Sequence, residues 1–213
     1  MQHDRMGNKT IAIADHTMSL DAAMARLEHY PSRTPTIYDF PGPGHPTSIS
    51  VDEIRRTRAV SSRISTHEGD WFIFRAATAP WTSPESTLQE ADPGESDGPY
   101  DAMEGLYKHF TAAAPKGVGM AKISKVLHLK RPAQFPILDS RLARTYRDPA
   151  ARAAKTYANR GYRKMYWAAI RLDLLKSGDA LAELRQCVRE HPSPRVRALH
   201  ALTDIRLHDM LTW

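Results

Sequence analysis

The stretch that decides the fold is residues 115–146, PKGVGMAKISKVLHLKRPAQFPILDSRLARTY. Gly117 and Gly119 bracket one small apolar residue, a pattern that predicts a tight turn, because glycine accepts positive φ and lets another backbone approach closely. We expect one helix before this turn, over residues 100–114, and a second helix after it, from Met120 to Leu129. The centre of the chain is therefore predicted to be two helices joined by a tight hairpin.

The chain after the second helix is predicted to be extended. Pro132 and Pro136 force this connector, since proline interrupts a helix and restricts the residue before it. Asp139 follows an apolar lead-in and is expected to cap a helix that runs to Arg147. A carboxylate that is partly buried at a helix N-terminus is also a candidate catalytic group, and the two roles do not exclude each other.

Capping signals and apolar periodicity predict helices on both sides of this stretch. Ser19 is expected to cap one helix, and Ser50 with Glu53 forms the capping-box pattern of another. Further along, apolar residues at helical spacing predict a long amphipathic helix over residues 157–177 and a last helix over residues 194–211.

Signals for strands are few. Residues 9–14 and 71–74 are the two short stretches that could be strands, and the Pro- and Gly-rich residues 31–47 and 79–99 predict loops. Residues 1–9 are polar and are expected to be disordered. The predicted fold class is all-α, with at most one or two short strands.

Composition excludes several kinds of site. Cys187 is the only cysteine, which excludes an intrachain disulfide and a cysteine-ligated iron–sulfur or zinc site. The ten histidines show no metal-ligand spacing, and the chain has neither a Walker loop nor a nucleophile elbow, so we expect no metal and no cofactor. No apolar run is long enough to span a membrane, and Met1–Lys9 has no signal-peptide core, so we expect a cytoplasmic protein without membrane contact, a monomer by default.

The positive charge of the chain is concentrated in one region. Residues 116–164 contain thirteen basic and two acidic side chains, a net charge of +11, whereas the rest of the chain carries −5. Such asymmetry favours a surface that binds a polyanion. The alternative is a solvated Lys- and Arg-rich helical surface with no partner.

The glycine turn predicts a phosphate site. Where such a turn opens a helix, several backbone N–H groups and the positive end of the helix dipole point the same way. Lys116, Lys122 and Lys125 lie within reach of it, and Val118 is expected to pack between the two helices. The alternative is a simple turn between antiparallel helices, with lysines that contact only water.

These features together resemble the helix-hairpin-helix DNA glycosylase superfamily. The resemblance covers about 45 residues, Tyr100 to Tyr146, and rests on Gly117-Val118-Gly119, the second helix, the Pro-containing connector and Asp139 with Arg144 after it. The chain is also similar to an uncharacterised bacterial branch that shares Ser124-Lys125-Val126-Leu127 and Arg131-Pro132. Two departures are Pro115-Lys116, where Leu-Pro is usual, and Ser140-Arg141, where Thr-His is common.

The resemblance implies a DNA N-glycosylase. Asp139 would stabilise the cationic sugar that forms as the N-glycosidic bond breaks, or orient the attacking water. The hairpin would hold a phosphate beside a nucleotide rotated out of the duplex. Bifunctional members use a lysine at the position of Ala121, and the side chain of its neighbour Lys122 points about 100° away, so no lyase activity is expected.

The resemblance also implies the DNA contacts and the division of the chain. The expected contacts are Lys116, Gly117, Val118, Gly119, Ala121, Lys122, Lys125, Arg141 and Arg144. Two all-α lobes are expected: residues 1–47 pack with a C-terminal lobe, 148–213, while residues 48–147 form a helical domain with the helix-hairpin-helix motif at about 101–129 and Asp139. A non-catalytic helix-hairpin-helix protein that contacts only DNA phosphates, and a helical protein-interaction module, remain the alternatives.

Overall fold

The computed structural model describes residues 9–213, and these are mostly helical. In chain order the elements are β1 Thr10–Ile13, β2 His16–Ser19, α1 Leu20–His29, α2 Arg33–Tyr38, α3 Val51–Arg56, α4 Thr66–Ala76, α5 Pro99–Thr111, α6 Met120–Lys130, α7 Ser140–Thr145, α8 Arg147–Thr156, α9 Tyr166–Lys176, α10 Gly178–Glu190, α11 Pro194–Arg197 and α12 Asp204–Leu211. Short 3-10 helices occupy Thr57–Val60, Ala158–Arg160 and Ala198–Ala201. The two strands form one antiparallel hairpin. The all-α class with a pair of short strands is confirmed. The disorder predicted for residues 1–9 falls almost wholly outside the described residues.

The predicted helix caps are present. The hydroxyl of Ser19 accepts a hydrogen bond from the amide of Ala22 at the start of α1. At the start of α3, the Ser50 hydroxyl accepts from the Glu53 amide while the Glu53 carboxylate accepts from the Ser50 amide, so both halves of the capping box form. These contacts span three residues or fewer, which is why local sequence was enough to predict them.

A second capping box decides the conformation of residues 71–74. Ser65 and Glu68 make the same reciprocal bonds at the start of α4. The apolar run follows within that helix, with Phe72 fully buried and Phe74 exposed. Residues 71–74 are therefore helical, and the strand alternative is wrong.

Three predicted elements differ from the structure. Residues 31–47 include helix α2, whose Pro35 lies in the first turn, where its missing N–H is not needed. The helix predicted over 157–177 begins only at Tyr166, because Gly161 adopts a left-handed φ of 71° and ends the preceding turn. The last predicted helix is interrupted, since the Thr203 hydroxyl caps a new helix, α12.

The described chain folds into two compact units. One contains the N-terminal segment through Pro31 together with Thr145–Trp213, and the other is Ser32–Arg144. The boundary thus lies at Pro31 and not after residue 47. The reason is Tyr38, which packs with Val60, Leu129 and Ile137 in the second unit.

The first unit is tied together by buried polar groups. The Asp173 carboxylate on α9 accepts hydrogen bonds from the Ala14 amide (2.6 Å) and the Tyr146 hydroxyl (2.7 Å). The Ser177 hydroxyl accepts from the Ala12 amide at 2.8 Å, and the His208 ring on α12 lies 3.0 Å from the Ala12 carbonyl. These bonds fix the strand hairpin on the C-terminal helices.

Helix α6 is the central helix of the second unit. All of its residues from Ile123 to Lys130 are buried, and this includes polar as well as apolar side chains. A helix buried on every side must find partners for its polar groups. Those partners are Glu68 for Lys122, Glu53 for Lys130, and the Leu138 carbonyl before Asp139 for Ser124. No helix in residues 9–213 is long and apolar enough to cross a membrane.

Candidate functional site

The two glycines of the hairpin have different backbone conformations. Helices α5 and α6 are joined by a tight turn, closed by a 3.0 Å hydrogen bond from the Val118 amide to the Pro115 carbonyl, with the Val118 side chain buried as expected. Gly117 has φ +97°, which disfavours any side chain. Gly119 has φ −120°, extended backbone that any residue adopts, and an added Cβ there would meet no atom within 4 Å. Only the first glycine is needed for the turn itself.

Helix α6 begins without a side-chain cap. The Gly119 carbonyl accepts from the amides of Lys122 and Ile123. The amides of Met120 and Ala121 donate to no group in the described part of the chain. Free amides at the positive end of a helix dipole, beside the open space over Gly119, form a surface that suits a phosphate.

Lys122 is held by a carboxylate from another helix. Its ammonium lies 2.5 Å from Oε1 of Glu68, the capping-box residue of α4. A Cβ on Gly117 would lie 3.0 Å from that same oxygen. Burial raises the pKa of Glu68, but hydrogen bonds from Lys122 and Ser65 outweigh it and leave the pKa below its usual value. The charge of Lys122, expected to be free for a phosphate, is thus compensated within the protein.

Two hydrogen bonds from α6 position the connector that leads to Asp139. The Ser124 hydroxyl donates to the Leu138 carbonyl at 3.2 Å, and Nδ1 of His128 lies 2.6 Å from the Phe135 carbonyl. Ser124 is in the second turn of α6. Asp139 is therefore carried beside the beginning of the helix that the hairpin opens.

The two carboxylate oxygens of Asp139 have different environments. Oδ1 accepts from the amides of Arg141 and Leu142, both at 2.9 Å, so the predicted N-cap is confirmed, although α7 ends at Thr145 and not at Arg147. Oδ2 accepts no hydrogen bond from any described residue. The side chain is half-buried. One oxygen thus holds the helix, and the other is available for chemistry.

Lys125 is the unexpected member of the site. Only 4% of this residue is exposed, and its ammonium makes neither a hydrogen bond nor an ion pair with residues 9–213. Burial lowers its pKa, and the Asp139 carboxylate opposes that shift. Lys125 lies one helical turn after Ala121 and so shares its face of α6. The sequence placed Lys125 among the surface contacts, but a spacing of four from Ala121 was the available signal for this position.

The basic residues of the segment differ in exposure. Lys116, Arg141 and Arg144 are exposed. Lys130 and Arg131 are buried: Lys130 pairs with Glu53 at 2.5 Å, and Arg131 stacks over Trp81. The basic residues beyond position 144 belong to the other unit. Because Lys130 and Arg131 are buried, the net charge of the segment overstates its exposed charge.

Within residues 9–213, no group of three or more His, Cys, Asp or Glu side chains could hold a metal ion. Cys187 is a free thiol whose pKa is raised by burial.

The family model that matches the chain covers residues 82–213, more than half of its length. The chain belongs to this family, DUF6308, a family of unknown function. No curated protein and no solved structure matches. The matched region contains the hairpin, α6 and Asp139, whereas Glu53 and Glu68, which hold two lysines of α6, precede it.

Proposed function

We propose that this member of DUF6308 is a DNA-binding, monofunctional N-glycosylase that removes a damaged, mismatched or modified base. The observation that carries the proposal is that the two carboxylate oxygens of Asp139 have different environments. Its Oδ1 is used by the cap of α7, while its Oδ2 is left without a partner among the described residues, beside the first turns of α6.

The proposed chemistry needs one carboxylate and one water. When the bond between C1′ of the sugar and the base nitrogen breaks, its electron pair leaves with the base and the sugar becomes cationic. An ionised Asp139 stabilises that charge or orients a water that adds to C1′, and the proton released from the water neutralises the base. Lys125 lies close enough for its charge to interact with this carboxylate, because Asp139 opposes the lowering of the Lys125 pKa by burial.

The hairpin supplies the grip on DNA. We expect one phosphate group to bind over Gly119, where the space is open, and to accept hydrogen bonds from the amides of Met120 and Ala121. The exposed Lys116 is close by in sequence. Arg141 and Arg144 offer further exposed positive charge beside Asp139. Val118 contributes by fixing the turn from inside, not by touching DNA.

The test is release of a base from a panel of duplexes that carry damaged, mismatched or modified bases. Wild type is compared with Asp139→Asn, because asparagine is an equally good N-cap and should preserve the fold. Asp148→Asn, an exposed residue in the first turn of α8, is the matched control. Samples are then treated with hot alkali to cut abasic sites.

We expect alkali-dependent cuts with wild type and the control variant, and none with Asp139→Asn. Equal release by Asp139→Asn would refute the catalytic role of this carboxylate. Cuts without alkali that disappear in Lys125→Met would overturn the monofunctional assignment, since they would identify Lys125 as an amine that attacks the sugar.

A second candidate function is a DNA-binding module without catalysis. The observation that favours it is the capping role of Asp139, which accounts for the presence of this residue without any chemistry. Salt-dependent binding to DNA by wild type and Asp139→Asn alike, with no base released from any duplex, would favour this candidate.

A further inference from the structure

A cavity of about 830 Å³ lies in the unit formed by Ser32–Arg144, apart from the residues assigned above. It is lined by Arg58, Ser61, Arg63, Ile64 and Ser65, at the turn between the Thr57–Val60 helix and α4. Neither these residues nor this turn carries any role in the resemblance, and all of them precede the part of the chain matched by the family model.

Hydrogen bonds of the buried Thr57 hold the turn that forms the cavity. The buried Thr57 hydroxyl donates to the Ile54 carbonyl at 2.7 Å, and the Ser62 amide donates to the Thr57 carbonyl at 3.0 Å. Ser61 is held in a left-handed conformation with φ +59°. These hydrogen bonds hold the backbone of the turn that carries the cavity residues.

The two arginines of the cavity have no charged partner among residues 9–213. Arg58 and Arg63 are exposed, and within the described chain neither guanidinium makes a hydrogen bond or an ion pair. By contrast, their neighbour Arg55 pairs with Asp52, and Arg56 donates to the carbonyl of Gly42 at 2.8 Å. Among the described residues that line the cavity, none is acidic.

Such a lining matches one class of ligand. Two guanidinium groups with serine hydroxyls beside them are the donors that bind phosphate oxygens, often through paired hydrogen bonds. The nearest acid in sequence is Glu68, and its carboxylate is already engaged by Lys122 and by the Ser65 amide. Asp70, in the second turn of α4, is exposed.

A short chain of contacts connects the cavity to the hairpin. Ser65 lines the cavity, and its amide donates to Oε2 of Glu68 at 2.8 Å. Oε1 of the same carboxylate accepts from Lys122 at 2.5 Å and lies 3.0 Å from the Cβ position of Gly117. One side chain, Glu68, therefore separates the cavity wall from the turn that is proposed to hold DNA.

We propose that the Arg58–Arg63 cavity is a second phosphate site, which binds a phosphodiester of the same DNA molecule that the hairpin holds. The inference rests on the proposed function, because it extends the DNA contact from the hairpin to this cavity. DNA then contacts the unit at the hairpin and at the cavity, which are linked through Glu68. These two contacts together set the direction in which the DNA crosses the hairpin.

The test is a salt titration of DNA binding, followed by the fluorescence anisotropy of a labelled undamaged duplex. The proteins compared are wild type, the double variant Arg58→Ala with Arg63→Ala, and Arg55→Ala as a matched exposed arginine outside the cavity. A second double variant, Arg58→Lys with Arg63→Lys, keeps the charge but loses the paired geometry. Circular dichroism verifies that each variant is folded.

We expect the slope of log K against log salt to become shallower by about 1 in the double alanine variant, because the loss of one phosphate contact removes about 0.9. Binding at low salt should weaken about 10-fold or more, while Arg55→Ala matches wild type. The double lysine variant should keep the wild-type slope with weaker binding. If alanine at both positions prevents folding, the lysine variant and each single alanine variant supply the same comparison.

The failures are distinguishable. Wild-type affinity and slope in the double alanine variant would overturn the second phosphate site and leave the proposed function intact. Absence of salt-dependent binding by wild type would overturn the proposed function and this inference with it. An equal loss in Arg55→Ala would show a diffuse charge effect, and would also overturn the assignment to the cavity.

Discussion

Adding one methyl group at each hairpin glycine should separate the requirements of the turn from those of DNA. Gly117→Ala places a Cβ on a backbone with φ +97°, 3.0 Å from Oε1 of Glu68. Gly119→Ala places it on extended backbone with no atom within 4 Å. The two substitutions are chemically identical and lie two residues apart.

The magnitudes follow from these geometries. At Gly117, a side chain at positive φ costs about 1–2 kcal/mol, and the crowded Glu68 carboxylate, already fixed by Lys122 at 2.5 Å, adds about 1 kcal/mol. Alanine also reduces the conformational entropy of the unfolded chain, which raises the free energy of unfolding by about 0.4–1 kcal/mol. The net loss is about 2 kcal/mol. At Gly119, alanine is a poorer N-cap by about 0.5–1 kcal/mol, and the same entropy gain offsets this to about zero.

Urea unfolding followed by tryptophan fluorescence and circular dichroism measures both values, since Trp71 and Trp81 lie in the same unit as the hairpin. We expect a clear fall in the unfolding midpoint for Gly117→Ala and almost none for Gly119→Ala. Equal destabilisation by the two variants, or a larger effect at Gly119, would refute the assignment of the turn requirement to Gly117 alone.

DNA binding should show a different order. Gly119→Ala keeps the fold but fills the open space over the free amides of α6, so it should weaken binding by about 10-fold at unchanged stability. Unchanged affinity in this stable variant would argue that no phosphate approaches the hairpin at this position.

Three further predictions concern the lysines of α6. Lys130→Met leaves the Glu53 carboxylate buried without its cation, so the free energy of unfolding should fall by about 3–5 kcal/mol in urea titration; a change below about 1 kcal/mol would contradict this. The pKa of the Glu68 carboxyl is lowered in the folded state, so the stability that its ionised form contributes is complete above pH 4.5 and is lost as the pH falls through the folded pKa. Lys122→Met removes one cause of the lowered pKa and should reduce the loss of stability in acid. An unchanged loss of stability in acid would refute this role of Lys122. Lys125→Met removes the ammonium of a buried residue that has no hydrogen-bond or ion-pair partner within residues 9–213, and should raise the free energy of unfolding at pH 7 by about 1 kcal/mol. Because the pKa of Lys125 is lowered in the folded state, the free energy of unfolding of wild type should rise relative to that of the variant as the pH rises toward 10.5. A Lys125→Met variant that is less stable than wild type at pH 7 would refute the conclusion that this ammonium destabilises the fold.

The sequence predicted those features whose determinants are close together in the chain. The hairpin, the Ser50–Glu53 capping box and the Asp139 cap all depend on contacts across two to four residues. The break at Gly161 was missed for a related reason: periodicity continues through residues 157–177, and one left-handed residue is enough to end a helical turn.

The sequence could not predict which charged residues remain free. Lys122 and Glu68 are 54 positions apart, and Lys130 and Glu53 are 77 apart. A count of charges assigns every lysine to the surface, whereas the fold neutralises two of them and buries a third. The Arg58–Arg63 cavity was missed because nothing in the sequence distinguishes these two arginines; what distinguishes them is their shared cavity and the absence of partners among the described residues.

The three lysines in the body of α6 show where function is needed to explain a residue. Glu53 and Glu68 each use Oε2 to complete a capping box and Oε1 to hold a lysine, so Lys130 and Lys122 are accounted for by stability. Lys125 has no such carboxylate: only 4% of the residue is exposed, and its ammonium makes no hydrogen bond or ion pair with the described residues. The lowering of its pKa by burial is opposed by Asp139, whose Oδ2 accepts no hydrogen bond from the described residues. A buried lysine beside a half-buried carboxylate is explained better by a functional site than by stability, and it adds to the case for the enzymatic proposal over simple DNA binding.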